Sequence, residues 1–330
     1  MMNTVEIFAR LSSQLSTFGQ SETSRLIILQ AQQENEWFTE LDIYRAIDAI
    51  RQEMLDESKL HAWLSSYDLI SHTPLRIGIV MAGNIPAVGF FDMLCVVASG
   101  NRALVKLSSK DRVLMRYIID LLRDIEPQIA IEEWNGTESI DAVIATGGDS
   151  ANLHFRTLYG SMPHLLRGSR HSVAVLSGNE SAEELQKLST DIFSYSGLGC
   201  RSVSLILAPQ GYTPTITPLT TCSGYHNNYL RTRALLTMHK SPFHDLGTAV
   251  MVDGVAAFPS EISRINIAHY NTLSEVKQWL DQHREQLQCS VSNIAEIPNV
   301  IPLGKAQYPA LNDYADGVDT MKFLLSLPQG

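Results

Sequence analysis

Over the first 72 residues the apolar positions recur at helical spacing on a polar background that is Gln-rich around 30–36, which predicts a helical lead-in. From Arg76 the period changes. Residues 77–81 (Ile-Gly-Ile-Val-Met) read as a buried strand, 85–99 as a helix, 102–107 as a strand and 111–124 as a helix. In that helix Leu114, Tyr117, Ile118, Leu121 and Leu122 form one apolar stripe. Short strands are expected at 128–132 and 141–145, the second running into Thr146-Gly147-Gly148-Asp149. The pattern then starts again with a strand at 172–176 and a helix over 181–196, where Ser181 and Glu184 stand at capping-box spacing. Strands follow at 202–208, 248–252 and 265–268. Thr272 and Glu275 open a last helix with Val276, Trp279 and Leu280 on one face, and the Pro- and Thr-rich stretch 209–221 reads as a loop or extended segment.

Strands alternating with helices imply an α/β chain with right-handed crossovers and mostly parallel sheets, whose ligands bind at the carboxyl ends of the strands. The expected organisation is a helical lead-in over 1–72, one α/β domain over 73–170, a second over 171–300, and a tail over 301–330 that serves as a return strand or an oligomer contact.

Composition narrows the partners. With 25 Lys and Arg against 35 Asp and Glu the net charge is −10, which disfavours nucleic acid or an anionic membrane. The longest apolar run, 85–98, contains Pro86, Gly89 and Asp92 and is too short to span a bilayer, so it is expected as a buried helix. Cysteines 95, 200, 222 and 289 are too far apart for a zinc ribbon or a Cys-x-x-Cys pair, and no signal-peptide pattern stands at the N-terminus. A reduced, cytoplasmic protein is the expectation. His239 and His244 do not share a helical face and Pro242 interrupts them, so no metal site is expected.

Candidate chemistry centres on Cys200, in Ser194-Tyr-Ser-Gly-Leu-Gly-Cys-Arg-Ser202, where a helical pattern passes through Gly197 and Gly199 into a strand. A thiol there can present its own backbone N–H to a substrate oxyanion. A buried structural cysteine fits the local sequence as well.

Three motifs in order resemble the aldehyde dehydrogenase superfamily. They are Ala82-Gly83-Asn84-Ile85-Pro86 with Ala98-Ser-Gly-Asn101 and Val105-Lys106-Leu107-Ser108; Ala145-Thr-Gly-Gly148; and Gly199-Cys200. Within it, Gly147-Gly148-Asp149, Gly199-Cys200-Arg201-Ser202 and the tail Gly304-Lys-Ala-Gln-Tyr-Pro309 with Asp313-Tyr-Ala-Asp-Gly-Val-Asp319 are similar to the long-chain acyl-CoA reductases related to the fatty-acyl reductase of bacterial luminescence. The resemblance implies an aldehyde-dehydrogenase-like fold, with a Rossmann-like NADP-binding domain over 73–170 and the catalytic cysteine in the domain over 171–300. It implies transfer of an acyl group from CoA to Cys200 and reduction to the aldehyde, with Asn84 and the Cys200 amide donating to the oxyanion. Losing such a donor typically costs about 3 kcal/mol. Asn84 serves equally as a cap for a helix starting near Pro86.

For the cofactor the resemblance points to Lys106, Ser108, Ser109, Thr146, Gly147, Gly148 and, more loosely, Glu261 on the nicotinamide ribose. Ser109 stands where NAD-preferring relatives often carry a Glu, and with Lys106 and Lys110 nearby this favours NADPH over NADH. Ser108, Ser109 and Asp111 also suit a helix cap. The water-activating Glu of aldehyde-oxidising enzymes is replaced, since Leu166-Arg167-Gly168-Ser169 stands there, and the acyl-cysteine is then spared hydrolysis. His164 and His171 are nearby acid/base candidates, and Arg156, Arg167, Arg170 and Arg201 a candidate basic mouth for polyanionic CoA. The rival readings are NAD(P)-dependent aldehyde oxidation, a cofactor-binding scaffold, and an acyl-transfer subunit serving a partner protein. A homo-oligomer is expected.

Overall fold

The computed structural model describes residues 3–69 and 72–328. The chain forms two compact units, one made of the residues before Arg170 together with those after Tyr308, the other of Arg170–Tyr308.

The first unit opens with helices α1 (Thr4–Leu15), α2 (Glu22–Glu34), α3 (Glu40–Ala49) and α4 (Glu57–Leu64). Each starts where a side chain takes an orphan backbone N–H of the first turn: Asn3, Ser21, Thr39 and Asp56. Then come β1 (Arg76–Val80), α5 (Phe90–Ala98), β2 (Arg102–Lys106), α6 (Arg112–Ile125), β3 (Ile131–Glu133), β4 (Ala142–Thr146), α7 (Asp149–Tyr159) and β5 (His164–Arg167). The strands form a parallel sheet in the order β3-β2-β1-β4-β5. The centres of β1, β2 and β4 are buried and carry no polar side chain, as strands covered on both faces are, while the edge strand β3 keeps only Ile131 buried. Phe8, Leu11, Ile43 and Leu60 of the early helices belong to the same core as Ile77, Ile79, Met93 and Leu122, so α1 to α4 pack as part of this unit.

The second unit contains β6 (His171–Val175), α8 (Ala182–Phe193), β7 (Val203–Pro209), α9 (Ser223–Met238), β8 (His244–Asp245), β9 (Val250–Asp253), β10 (Arg264–Tyr270), α10 (Leu273–Gln282) and β11 (Leu287–Val291). Its sheet runs β11-β6-β7-β10-β9-β8, parallel except for the antiparallel β8 edge. Ser181 and Glu184 close the expected capping box at the start of α8. The chain then returns to the first unit, where α11 (Thr320–Leu325) buries Met321 and Leu324 in that core.

Three differences from the sequence reading bear on the site. Helix α5 begins at Phe90 rather than at 85, because Ala87 adopts a left-handed conformation (φ 54°) and gives its N–H to the Asp111 carboxylate. Asn84 therefore lies in a loop and does not cap that helix. Helix α8 stops at Phe193 rather than 196, because Tyr195 and Ser196 turn left-handed. Helix α9, absent from the sequence reading, buries Tyr225, Tyr229, Thr232 and Leu236 on one face, a stripe blurred by the exposed Leu230, Leu235 and Met238.

Candidate functional site

The candidate residues fall into two groups, one on each unit. In the second unit Cys200 sits in the turn between α8 and β7, part-buried. Three successive residues before it, Tyr195, Ser196 and Gly197, have φ of 54°, 51° and 68°. Two of them carry a Cβ, and each costs roughly 1 kcal/mol or more in this region. The surrounding chain holds them there. The Ser196 hydroxyl accepts the Cys222 N–H (3.3 Å), and Gly197 lies so close to Ile262 that a Cβ would stand 3.3 Å from its Cγ2. Beyond the turn, the Ser202 N–H donates to the Gly199 carbonyl (2.9 Å) and the Ser172 hydroxyl to the Cys200 carbonyl (2.8 Å).

Glu261 occupies the turn entering β10, beside the Ile262 that contacts Gly197. Its Oε2 is buried without a hydrogen bond among the described residues and lies 3.7 Å from the Arg264 guanidinium.

In the first unit, Val80 at the end of β1 pairs with Lys106 on one side and Ala145 on the other. The loops carrying Gly83-Asn84, Leu107 to Asp111 and Thr146 to Gly148 therefore leave the sheet at one end, and the order in which the chain adds strands reverses between β1 and β4. That is where an open parallel sheet offers a ligand crevice. Gly83 is required there, because a Cβ would lie 2.4 Å from Ser108 Oγ. The Asn35 amide donates to the Gly83 carbonyl (3.2 Å), tying α2 to the same loop. Lys106, Ser109 and Lys110 are exposed.

Asp111, expected among the caps of α6, stands at the cap position but makes no capping bond. It is 2% exposed, its Oδ2 accepts from Ala87 N (2.8 Å), and its Oδ1 has no partner among the described residues. Burial pushes its carboxyl well above the ordinary range, and the Ala87 bond opposes this only in part. No sequence signal marked the Asp111 to Ala87 link, since the bond reaches back 24 positions.

At the end of β4 the Thr146 hydroxyl is buried without a hydrogen bond among the described residues. The Gly147 N–H donates to the Arg167 carbonyl (3.2 Å), and a Cβ on Gly147 would meet Ala151 at 2.8 Å. Gly148 caps α7 with no side chain over the helix N-terminus, and a Cβ there would meet nothing nearer than Ser169 Oγ at 3.8 Å. An orphaned hydroxyl, an open glycine and an uncovered helix N-terminus beside exposed lysines suit the phosphates and ribose of a dinucleotide. Asp149, in the first turn, is directed to the Ser169 N–H (3.2 Å).

One expectation is corrected. Arg167 does not belong to a basic mouth: it is buried in β5, with its Nη1 on both Asp92 oxygens (2.5 and 2.6 Å) and its Nη2 on Thr320 Oγ1 (2.7 Å). His171 stacks on Phe258 with centroids 4.4 Å apart, a packing role. His164 is exposed, with Nδ1 2.8 Å from the Met162 carbonyl, and Arg156 bonds to Asn152 on its own helix. Among the described residues, no helix is long and apolar enough to cross a membrane.

A family model described as acyl-CoA reductase (LuxC) matches residues 17–218. No curated protein matches the chain. Among solved structures it is similar to aldehyde dehydrogenase 21 from Physcomitrella patens in complex with succinate, at 10% identity over 98% of this chain and 83% of that one, with a TM-score of 0.64. Indole-3-acetaldehyde dehydrogenase from P. syringae, in complex with NAD+, matches at 14% identity over 94% and 75%, TM-score 0.63. The NADP complex of an NADP-dependent glyceraldehyde-3-phosphate dehydrogenase from Bacillus halodurans matches at 13% over 92% and 76%, TM-score 0.59. At such identities the likeness speaks for the fold, while the family model covers more than half of the chain. The chain therefore belongs to the acyl-CoA reductase (LuxC) family of oxidoreductases and carries the aldehyde dehydrogenase fold.

Proposed function

We propose that the protein reduces a fatty acyl-CoA to the aldehyde with NADPH, through an acyl group carried on Cys200. The observation that carries this reading is the Cys200 turn, in which a part-buried thiol follows three left-handed residues held by neighbours from α9 and the β10 turn, while Ser172 of β6 holds the Cys200 carbonyl. Backbone held in that region marks a place where geometry is kept for use.

The Cys200 thiolate attacks the thioester carbonyl, a carbon–sulfur bond forms, and the CoA thiolate leaves with the electron pair of the bond it loses. The dinucleotide, when bound, supplies a hydride to the acyl carbon. Asn84 and the Cys200 amide are assigned, on the family resemblance, to donate to the oxygen as it gains charge. Collapse of the thiohemiacetal expels aldehyde and restores the Cys200 thiolate. On the family resemblance, Leu166-Arg167-Gly168-Ser169 replaces the motif whose Glu activates water, so the acyl-cysteine is spared hydrolysis. Thr146, Gly147 and Gly148 are assigned to hold the dinucleotide, together with Lys106, Ser108 and Ser109, and Glu261 its nicotinamide ribose. The preference for NADPH rests on the exposed Lys106 and Lys110 flanking Ser109, where no carboxylate repels a 2′-phosphate.

Incubation with acyl-CoAs of several chain lengths, without dinucleotide, is expected to add acyl mass to the Cys200 peptide and not to Cys200→Ala. Adding NADPH discharges it as stoichiometric aldehyde, with NADH slower. Folded protein that stays unacylated at every chain length, or that releases carboxylic acid instead, overturns the reading.

A further inference from the structure

Ser172 is the first polar residue inside an otherwise apolar strand, followed by Val173, Ala174 and Val175, and it is 0% exposed. A hydroxyl buried at such a place costs free energy unless it is hydrogen-bonded. Its Oγ donates to the Cys200 carbonyl (2.8 Å) and lies 3.1 Å from Cys289 Sγ. A serine hydroxyl has one proton. With that proton on the Cys200 carbonyl, the Cys289 contact has one direction: the thiol S–H donates to Ser172 Oγ. The three groups form a relay from Cys289 through Ser172 to Cys200.

The sheet is built irregularly at this residue and on both of its sides. Between β6 and β7 the register shifts from Ser172 to Val173, and between β11 and β6 it shifts between Leu287 and Cys289, whose partner is Ser172. Such irregularities re-aim a side chain at the cost of regular ladder pairing. Here they flank a hydroxyl that donates to the Cys200 carbonyl.

The consequence for Cys200 follows from peptide planarity. The Ser202 N–H holds the Gly199 carbonyl and so orients the plane that carries the Cys200 N–H. Ser172 holds the Cys200 carbonyl and so orients the next plane. With both planes fixed, the Cys200 backbone is set and its thiol keeps only rotation about χ1.

We propose that Ser172, supported by the Cys289 thiol, is a positioning residue that sets the direction of the Cys200 thiol and of its amide. The proposal rests on reading Cys200 as the acyl-carrying nucleophile. Displacing a nucleophile by about 1 Å costs on the order of 100-fold in rate. Ser172→Ala is therefore expected to slow single-turnover acylation of Cys200 on the order of 10- to 100-fold, with the dissociation constant for NADPH unchanged, because Ser172 and its partners are not among the residues assigned to the dinucleotide. Cys289→Ala weakens the relay from behind and slows acylation less. Cys289→Ser keeps a donor and recovers most of what Cys289→Ala loses, a pattern that simple packing loss does not give.

A second readout needs no substrate. The pH profile of Cys200 alkylation by iodoacetamide, followed on its own peptide, is expected to move to higher pH in Ser172→Ala, because the amides that favour the thiolate are no longer held. Wild-type acylation kinetics in Ser172→Ala, or superimposable alkylation profiles, overturn the proposal. If Ser172→Ala does not fold, the Cys289 pair decides, and equal rates for Cys289→Ala and Cys289→Ser overturn it. Should the wild type accept no acyl group while its alkylation profile still shifts with Ser172, the substrate reading fails and the positioning role stands.

Discussion

Asp191 on α8 explains why the tail motif at Gly304 has its composition. Its Oδ2 accepts the Gly304 N–H (2.6 Å) and its Oδ1 the Ala306 N–H (3.0 Å). Gly304 has φ 86° and passes so close to Lys187 that a Cβ would stand 2.9 Å from its Cβ, so only glycine fits. Burial pushes the Asp191 carboxyl up to about 7, and the two N–H bonds only partly oppose this. The unfolded chain releases that proton near pH 4, roughly 3.9 for an ordinary Asp. Between about pH 4 and about pH 7 the folded state thus holds more protons, and the stability contributed by this group falls as pH rises. Urea unfolding of the wild type and Asp191→Asn is expected to show their free-energy difference moving against the wild type across that window. A difference independent of pH would contradict the titration. At this scale the sequence made Cys200 legible, because two glycines flank it and the pattern changes there. Ser172 and Asp111 were not, because their partners lie 28 and 24 positions away and no local period encodes such bonds.

Among elements, the Arg167–Asp92 pair joins β5 to α5 inside the first unit, and Thr320 of α11 accepts a further bond from the guanidinium. Arg167 also lends its carbonyl to Gly147, so one residue of β5 holds both the helix after the Asn84 loop and the start of the β4 loop. Removing one partner of a buried pair strands the other charge. Arg167→Met is therefore expected to cost about 3–5 kcal/mol of stability in chemical denaturation. Arg167→Met with Asp92→Leu is expected to recover part of it, since both buried charges are then gone. A loss under about 1 kcal/mol for the single variant would place Asp92 in a wetter site than the structure shows. The helices and strands themselves were largely legible. Stripes such as that of α6 and caps such as Ser181 specify elements locally. The edge strand β11 was not, because its partly exposed Leu-Gln-Cys-Ser-Val carries no continuous apolar run.

On the scale of the whole molecule, the chain leaves the first unit after Ser169 and comes back to it at Pro309. The returning segment supplies Leu311, Met321, Leu324 and Leu327 to the first core, and the Tyr314 hydroxyl accepts the Trp63 indole N–H (2.7 Å) from α4. Truncation after Tyr308 strips these side chains from a packed core, at a cost of about 2–5 kcal/mol for each large one lost. Calorimetry of that truncation is expected to show the first unit's transition lost or strongly lowered, with the second unit, whose chain is continuous, still unfolding cooperatively. Retention of both transitions would show that the tail is dispensable. By itself the sequence determined most of the helices and strands, though not α9 or β11, the parallel character of the sheets, and the turn that holds Cys200, because periodicity, caps and glycines act over a few residues. Only the tertiary structure decided that the tail completes the first core, that Arg167 is buried rather than facing a ligand, and that Ser172 fastens the Cys200 carbonyl. Each of those depends on which strands and helices become neighbours, and pairing across tens to hundreds of residues is settled by packing of the whole chain.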